Sequence, residues 1–127
     1  MAERGRTRPV RVAVATDDDA LDVQRFGHAT RFAVYELVDG DARLIEMRDC
    51  VPACGAPGRH EERLGRAADV IGDCRAVIVR EIGPGAAAAV TRRGLSVQLG
   101  YGTIAEALDA LLARNRAPIA RRLGGPA

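Results

Sequence analysis

Lysine and tryptophan are absent from this 127-residue chain, and aromatic residues make up only 3% of it. Each shortage excludes something. Two Phe and two Tyr cannot build a platform on which nucleic-acid bases stack. The core must instead come from Ala, Val, Leu and Ile, and a hydrophobic share of 47% is enough for one compact domain. No apolar run approaches the ~20 residues of a membrane span. Residues 1–9 lack the apolar centre of a secretory signal, so the expected location is cytoplasmic, with no membrane partner. Cysteine is scarce as well. Three Cys in a chain of this kind argue against a disulfide framework.

All 19 basic residues are Arg, and their distribution matters more than the net charge of +2. Residues 1–9 carry a net +2 and residues 114–127 a net +4, which leaves 12 Arg against 16 acids, a net −4, over 10–113. The basic character therefore sits at the two ends. That disfavours a nucleic-acid partner, which wants a basic stripe on the folded surface.

Val10-Arg11-Val12-Ala13-Val14-Ala15-Thr16 is apolar on both faces and reads as a central strand covered on both sides. Strands over 31–38 and 42–48 flank Asp39-Gly40, a hairpin signature. Ile45 and Met47 alternate with Glu46 and Arg48, which predicts one wet face on the third strand. A Pro- and Gly-rich loop over 50–58 leads to an amphipathic helix on Leu64, Ala67, Ala68 and Ile71. Ala76-Val77-Ile78-Val79 is a buried strand, and Gly83-Pro84-Gly85 opens an Ala-rich helix that stops near Gly94. Leu95, Val97 and Leu99 mark a last strand. Ile104, Ala107, Leu108, Leu111 and Leu112 line a final helix, with Thr103 and Glu106 as its capping box. The pattern stops after Arg116. The expected organisation is one α/β domain over 10–116, a mixed five-stranded sheet with helices on its faces, between flexible basic tails at 1–9 and 117–127.

Four loops carry candidate chemistry. Arg25-Phe26-Gly27-His28-Ala29 offers an imidazole, which serves as a metal ligand, a proton donor or a solvated side chain. Cys50 and Cys54 share a loop with His60, and thiolates with imidazole suit iron and sulfur. Their spacing is not a zinc signature, and Cys74 reads as core. Ile82-Gly83-Pro84-Gly85-Ala86 places free amides at a helix start, which favours an anion, or is simply a turn. Asp17-Asp18-Asp19 would hold a divalent metal if Glu36, Glu46 or Glu81 converged with it, and is otherwise a solvated loop. Tyr101, between two glycines, is either a ligand contact or a packed edge.

These loops, in this order, resemble the dinitrogenase iron-molybdenum cofactor biosynthesis family, which includes small carrier proteins and the C-terminal domain of the cofactor-core assembly enzyme. The matching text covers about residues 10–113. It runs through Val12-Ala13-Val14-Ala15-Thr16-Asp17, Arg25-Phe26-Gly27-His28-Ala29 with Phe32 and Tyr35-Glu36, and Arg48, Cys50 and Cys54. Asp73-Cys74-Arg75-Ala76-Val77-Ile78-Val79, Ile82-Gly83-Pro84-Gly85-Ala86 and Gly94-Leu95 complete it. The resemblance implies a ribonuclease-H-like fold without nuclease activity. It implies transient binding and delivery, or storage, of an anionic iron-sulfur or iron-molybdenum cofactor or precursor. It makes His28 the first candidate metal ligand, with Cys54 and Cys50 next. Arg25, Gly27 and the amides around Gly83 and Gly85 would stabilise the anionic cluster. The expected partners are nitrogenase cofactor-assembly proteins, and the expected state is a monomer or weak dimer. The radical-enzyme cysteine motif of the larger assembly enzyme is missing, so the expectation is a protein that is not an enzyme. Two other classes remain open: a divalent-metal nuclease or phosphotransferase using Asp17, and a regulatory interaction module.

Overall fold

The computed structural model describes residues 9–54 and 58–124, with side chains as far as Arg114. Of the expected tails at 1–9 and 117–127, residues 1–8 and 125–127 lie outside the described residues. Five strands, β1 (Val10–Thr16), β2 (Arg31–Val38), β3 (Asp41–Asp49), β4 (Ala76–Val79) and β5 (Ser96–Leu99), form one sheet of order β3-β2-β1-β4-β5. β2 pairs antiparallel with both β1 and β3, whereas β4 runs parallel to β1 and β5. The sheet is mixed, as the hairpin followed by β-α-β units requires.

The two-residue period of β1 divides the core. Val12 and Val14 face one side, where Ile104, Ala107, Leu108 and Leu111 of α3 (Ile104–Gly124) pack. Ala13 and Ala15 face the other, beneath α1 (His60–Val70) and α2 (Pro84–Arg92). The small side chains on that face let two helices lie close to the sheet. Asp39 and Gly40 both have positive φ, 54° and 83°, the backbone a tight I′ hairpin turn demands. Thr103 Oγ1 accepts the Glu106 N–H at 3.1 Å, and Glu106 Oε1 accepts the Thr103 N–H at 2.9 Å, closing the capping box of α3. That helix continues to Gly124.

β3 departs from the expected alternation. Val34 pairs with Glu46 but Tyr35 pairs with Leu44, so Ile45 is an extra, bulged residue. On the face expected to be wet Glu46 is exposed, while Arg48 reaches the end of α1. Arg48, whose side chain is only 18% exposed, donates to both oxygens of Asp73 (2.6 and 2.9 Å) and to the Val70 carbonyl at the end of α1 (2.8 Å). These bonds from Arg48 hold the Asp73 carboxyl well below the usual carboxylate range. A depressed carboxylate stabilises the fold above its unfolded value, near ~3.9, and that stability is lost as pH falls toward the folded value. Asp73 is about half exposed, so solvent screening limits the effect to roughly 1 kcal/mol or less. Asp73→Asn should therefore lower the urea midpoint at pH 7 and narrow its gap to the parent below about pH 4. A constant gap would show that the pair does not titrate with folding. Beside this network Cys74 is buried as expected, and burial pushes its thiol up to about 11.

Gly100 marks the closest approach of the β5–α3 loop to the core. A Cβ there would lie 2.6 Å from Ile78 Cγ2 and 3.0 Å from Ala107 Cβ. Gly100→Ala should cost about 1–3 kcal/mol by overpacking, read from chemical denaturation. An unchanged midpoint would mean that α3 shifts freely on the sheet.

Candidate functional site

The carboxyl ends of β1, β4 and β5 and the first turns of α1 and α2 all lie at one end of the sheet. The chain leaving β1 is laid across that end as a strap. Gln24 N–H donates to the Ala15 carbonyl (2.7 Å), Val23 N–H to Gly102 (2.9 Å) and Phe26 N–H to Glu81 (3.0 Å), while Arg80 N–H returns a bond to Gln24 (3.0 Å). The strap is thus tied to the loops after β4 and β5. Thr16, the only buried polar side chain among the described residues, donates its hydroxyl to the Asp22 carbonyl at 2.7 Å.

Phe26 anchors the strap from below. It is 1% exposed, and its ring centroid lies 5.9 Å from that of Phe32. A single 3₁₀ turn, Phe26–His28, follows and presents His28 to solvent. Cys54 N–H donates to the Gly27 carbonyl at 2.9 Å, which staples the cysteine loop to this turn. A Cβ on Gly27 would sit 3.7 Å from Cys54 Cβ, and the Cys54 thiol is exposed. Arg25 Nε is 3.0 Å from Glu81 Oε1.

The N-terminus of α2 lies at the same end. Gly83 caps it without a side-chain bond, Pro84 follows, and the first turn holds no acid. The amides of Gly85 and Ala86 therefore carry the positive end of the helix dipole without an internal counter-charge. α1 differs, since Glu61 and Glu62 occupy its first turn. Gly85 has a packing duty as well: a Cβ there would come 3.2 Å from Leu64 Cδ1 of α1.

The structure brings Arg25, Gly27, His28 and Cys54 into one loop cluster and sets the Gly83–Gly85 turn behind Glu81. Cys50 stands apart. Its thiol is buried, donates to the Val51 carbonyl at 3.4 Å and is pushed up by that burial. It lines a cavity of about 200 Å³ with Arg63, Arg66, Ala67 and Val70. Sequence reasoning named His60 and Glu81 but not the neighbours they have here. His60 Nε2 lies 3.8 Å from where a Gly85 Cβ would be, and Glu81 turns out to be the partner of Arg25. Neither contact has a signal in local spacing.

The carboxylates do not converge. Asp17 Oδ1 accepts the Asp19 N–H and Asp18 Oδ1 accepts the Thr30 hydroxyl. Glu36 pairs with Arg43, and Glu46 with Arg48. Among the described residues no three His, Cys, Asp or Glu side chains gather as a metal site. Tyr101 is exposed on the loop after β5. No described helix is long and apolar enough to cross a membrane.

Residues 8–114 match the family described as dinitrogenase iron-molybdenum cofactor. The chain belongs to that family. It is 36% identical over 115 residues to the FeMo cofactor biosynthesis protein NifB of Frankia alni, covering 86% of this chain and 22% of that protein. It is 35% identical over 92 residues to protein NifX of Rhodobacter capsulatus, covering 69% of this chain and 57% of that one. The chain thus spans only part of the length of either relative. The NMR structure of a putative NifB protein from Thermotoga matches the fold with a TM-score of 0.60 at 24% identity, covering 84% of this chain and 90% of that one. The family resemblance read from the loops is confirmed, and so is the single small α/β domain with a mixed five-stranded sheet.

Proposed function

We propose that the chain binds an anionic iron-sulfur or iron-molybdenum cofactor, or its precursor, and delivers or stores it during nitrogenase-type cofactor assembly without catalysing a reaction. The observation that carries this is His28, exposed on a turn whose own Phe26 is locked in the core and whose Gly27 carbonyl holds the Cys54 loop. One imidazole and one thiol suit a preformed cluster that brings its own sulfide ligands, and ligation this sparse lets the cargo leave again. His28 and Cys54 are the proposed ligands. Cys50 would join them only after its thiol turned outward. Arg25 and the amides of Gly85 and Ala86 supply the charge-assisted hydrogen bonds an anion needs.

The strand order β3-β2-β1-β4-β5, with β2 antiparallel, supports a ribonuclease-H-like reading of the fold. Nuclease chemistry is not supported, because Val10–Thr16 carries no carboxylate, Asp17 and Asp18 accept bonds from Asp19 N–H and the Thr30 hydroxyl, and Glu36, Glu46 and Glu81 each have a separate Arg partner. The partners on this reading are nitrogenase cofactor-assembly proteins. The test is anaerobic mixing of the purified chain with isolated cofactor precursor, followed by gel filtration with iron, molybdenum and sulfide analysis. Metal eluting with the protein supports the proposal. Metal eluting only in the small-molecule volume overturns it.

A further inference from the structure

We propose that Glu81 is a built-in competitor for Arg25: it holds the guanidinium while no cargo is present and weakens the grip on an anionic ligand, so that the ligand can be released. This rests on the reading of the site as an anion-cluster site. Arg25 Nε and Glu81 Oε1 are 3.0 Å apart, with side-chain exposures of 50% and 68%. Exposed pairs of this kind contribute little to stability. The strap does not need the pair either. The backbone bonds of Phe26 to Glu81 and of Arg80 to Gln24 already fasten the same two segments together, each at 3.0 Å. A side-chain contact laid over an interface that the backbone has closed is free to exchange partners.

The chemistry of the exchange follows from charge. A carboxylate offers Arg25 one negative charge, whereas a dianion or a more highly charged cluster offers more and takes the guanidinium by Coulomb attraction. The displaced Glu81 side chain stays on the same loop, immediately before the Ile82-Gly83-Pro84-Gly85 turn, poised to take the guanidinium back from the anion. Arg25 recruits the anion and Glu81 competes for Arg25. The pair therefore sets affinity low enough for transfer, without any change in the ligands on His28 and Cys54.

The probe is tetrathiomolybdate, a dianion of molybdenum and sulfide with strong visible absorption, followed by anaerobic equilibrium dialysis and stopped-flow dissociation. Glu81→Gln is expected to bind about two- to fivefold more tightly, chiefly through slower dissociation, at an unchanged urea midpoint. Arg25→Gln is expected to bind several-fold more weakly. In the Arg25→Gln background the gain from Glu81→Gln should all but vanish, and in the parent background it should shrink as salt rises. If the parent binds and Glu81→Gln is unchanged or weaker, the competitor role is overturned while the anion site stands. A gain that persists in full without Arg25 also overturns it, since Glu81 would then act by plain repulsion. Retention of the anion by neither protein would remove the anion site and this proposal together.

Discussion

Replacing Phe26 with Ala is expected to destabilise the fold by about 3–5 kcal/mol and to release the turn that presents His28. Phe26 is 1% exposed and packs on Phe32, one of only two Phe in the chain, so no other aromatic can fill the hole. The cluster it belongs to includes Ala13, Ala15, Ala29 and Ala53, side chains too short to extend into the space. A loss of that size is a large part of the roughly 5–15 kcal/mol that holds a domain of this size together. Urea denaturation measures it directly. Phe26→Leu keeps most of the volume and should cost less than about 1.5 kcal/mol, leaving the strap in place. Equal, small costs for both variants would mean that the backbone bonds to Ala15 and Glu81, not the ring, hold the strap.

The residues that sequence reasoning placed well obey short-range rules. Val12 and Val14 against Ala13 and Ala15 divide the two core faces by period two alone. Asp39-Gly40 fixes its hairpin because few other pairs accept two positive φ values. Thr103 and Glu106 cap α3 from three residues apart. What the chain conceals is long-range pairing. One extra residue, Ile45, shifts the phase of β3, and the buried role of Arg48 depends on Asp73, 25 residues away. The same holds at the site. His28 and Gly83–Gly85 were legible as loop chemistry, but the fastening of Cys54 to Gly27 and of Arg25 to Glu81 depends on the order in which strands lie side by side. Cys50 and Cys54 look equivalent by spacing, yet one thiol is buried against its own loop and the other is open.

That difference between the two thiols yields the sharpest expectation for binding. The His28→Ala, Cys54→Ala double variant should lose at least about tenfold in affinity for the cofactor precursor, which corresponds to ~1.4 kcal/mol. Both side chains are exposed, so the urea midpoint should stay within about 0.5 kcal/mol of the parent. A binding loss at constant stability is then a loss of ligands rather than of structure. Cys50→Ala is the internal control. Its thiol must break the bond to the Val51 carbonyl and leave its buried position before it can reach a cluster, and burial keeps it protonated. It should retain metal nearly as the parent does. Metal co-elution after anaerobic gel filtration ranks the variants: parent and Cys50→Ala highest, each single variant at His28 or Cys54 lower, and the double variant lowest. Full retention in the double variant would remove His28 and Cys54 as ligands and leave only the Arg25 guanidinium and the α2 amides to hold an anion. Loss in Cys50→Ala instead would mean that the cysteine loop opens on binding, because only that motion brings its thiol to the His28 side.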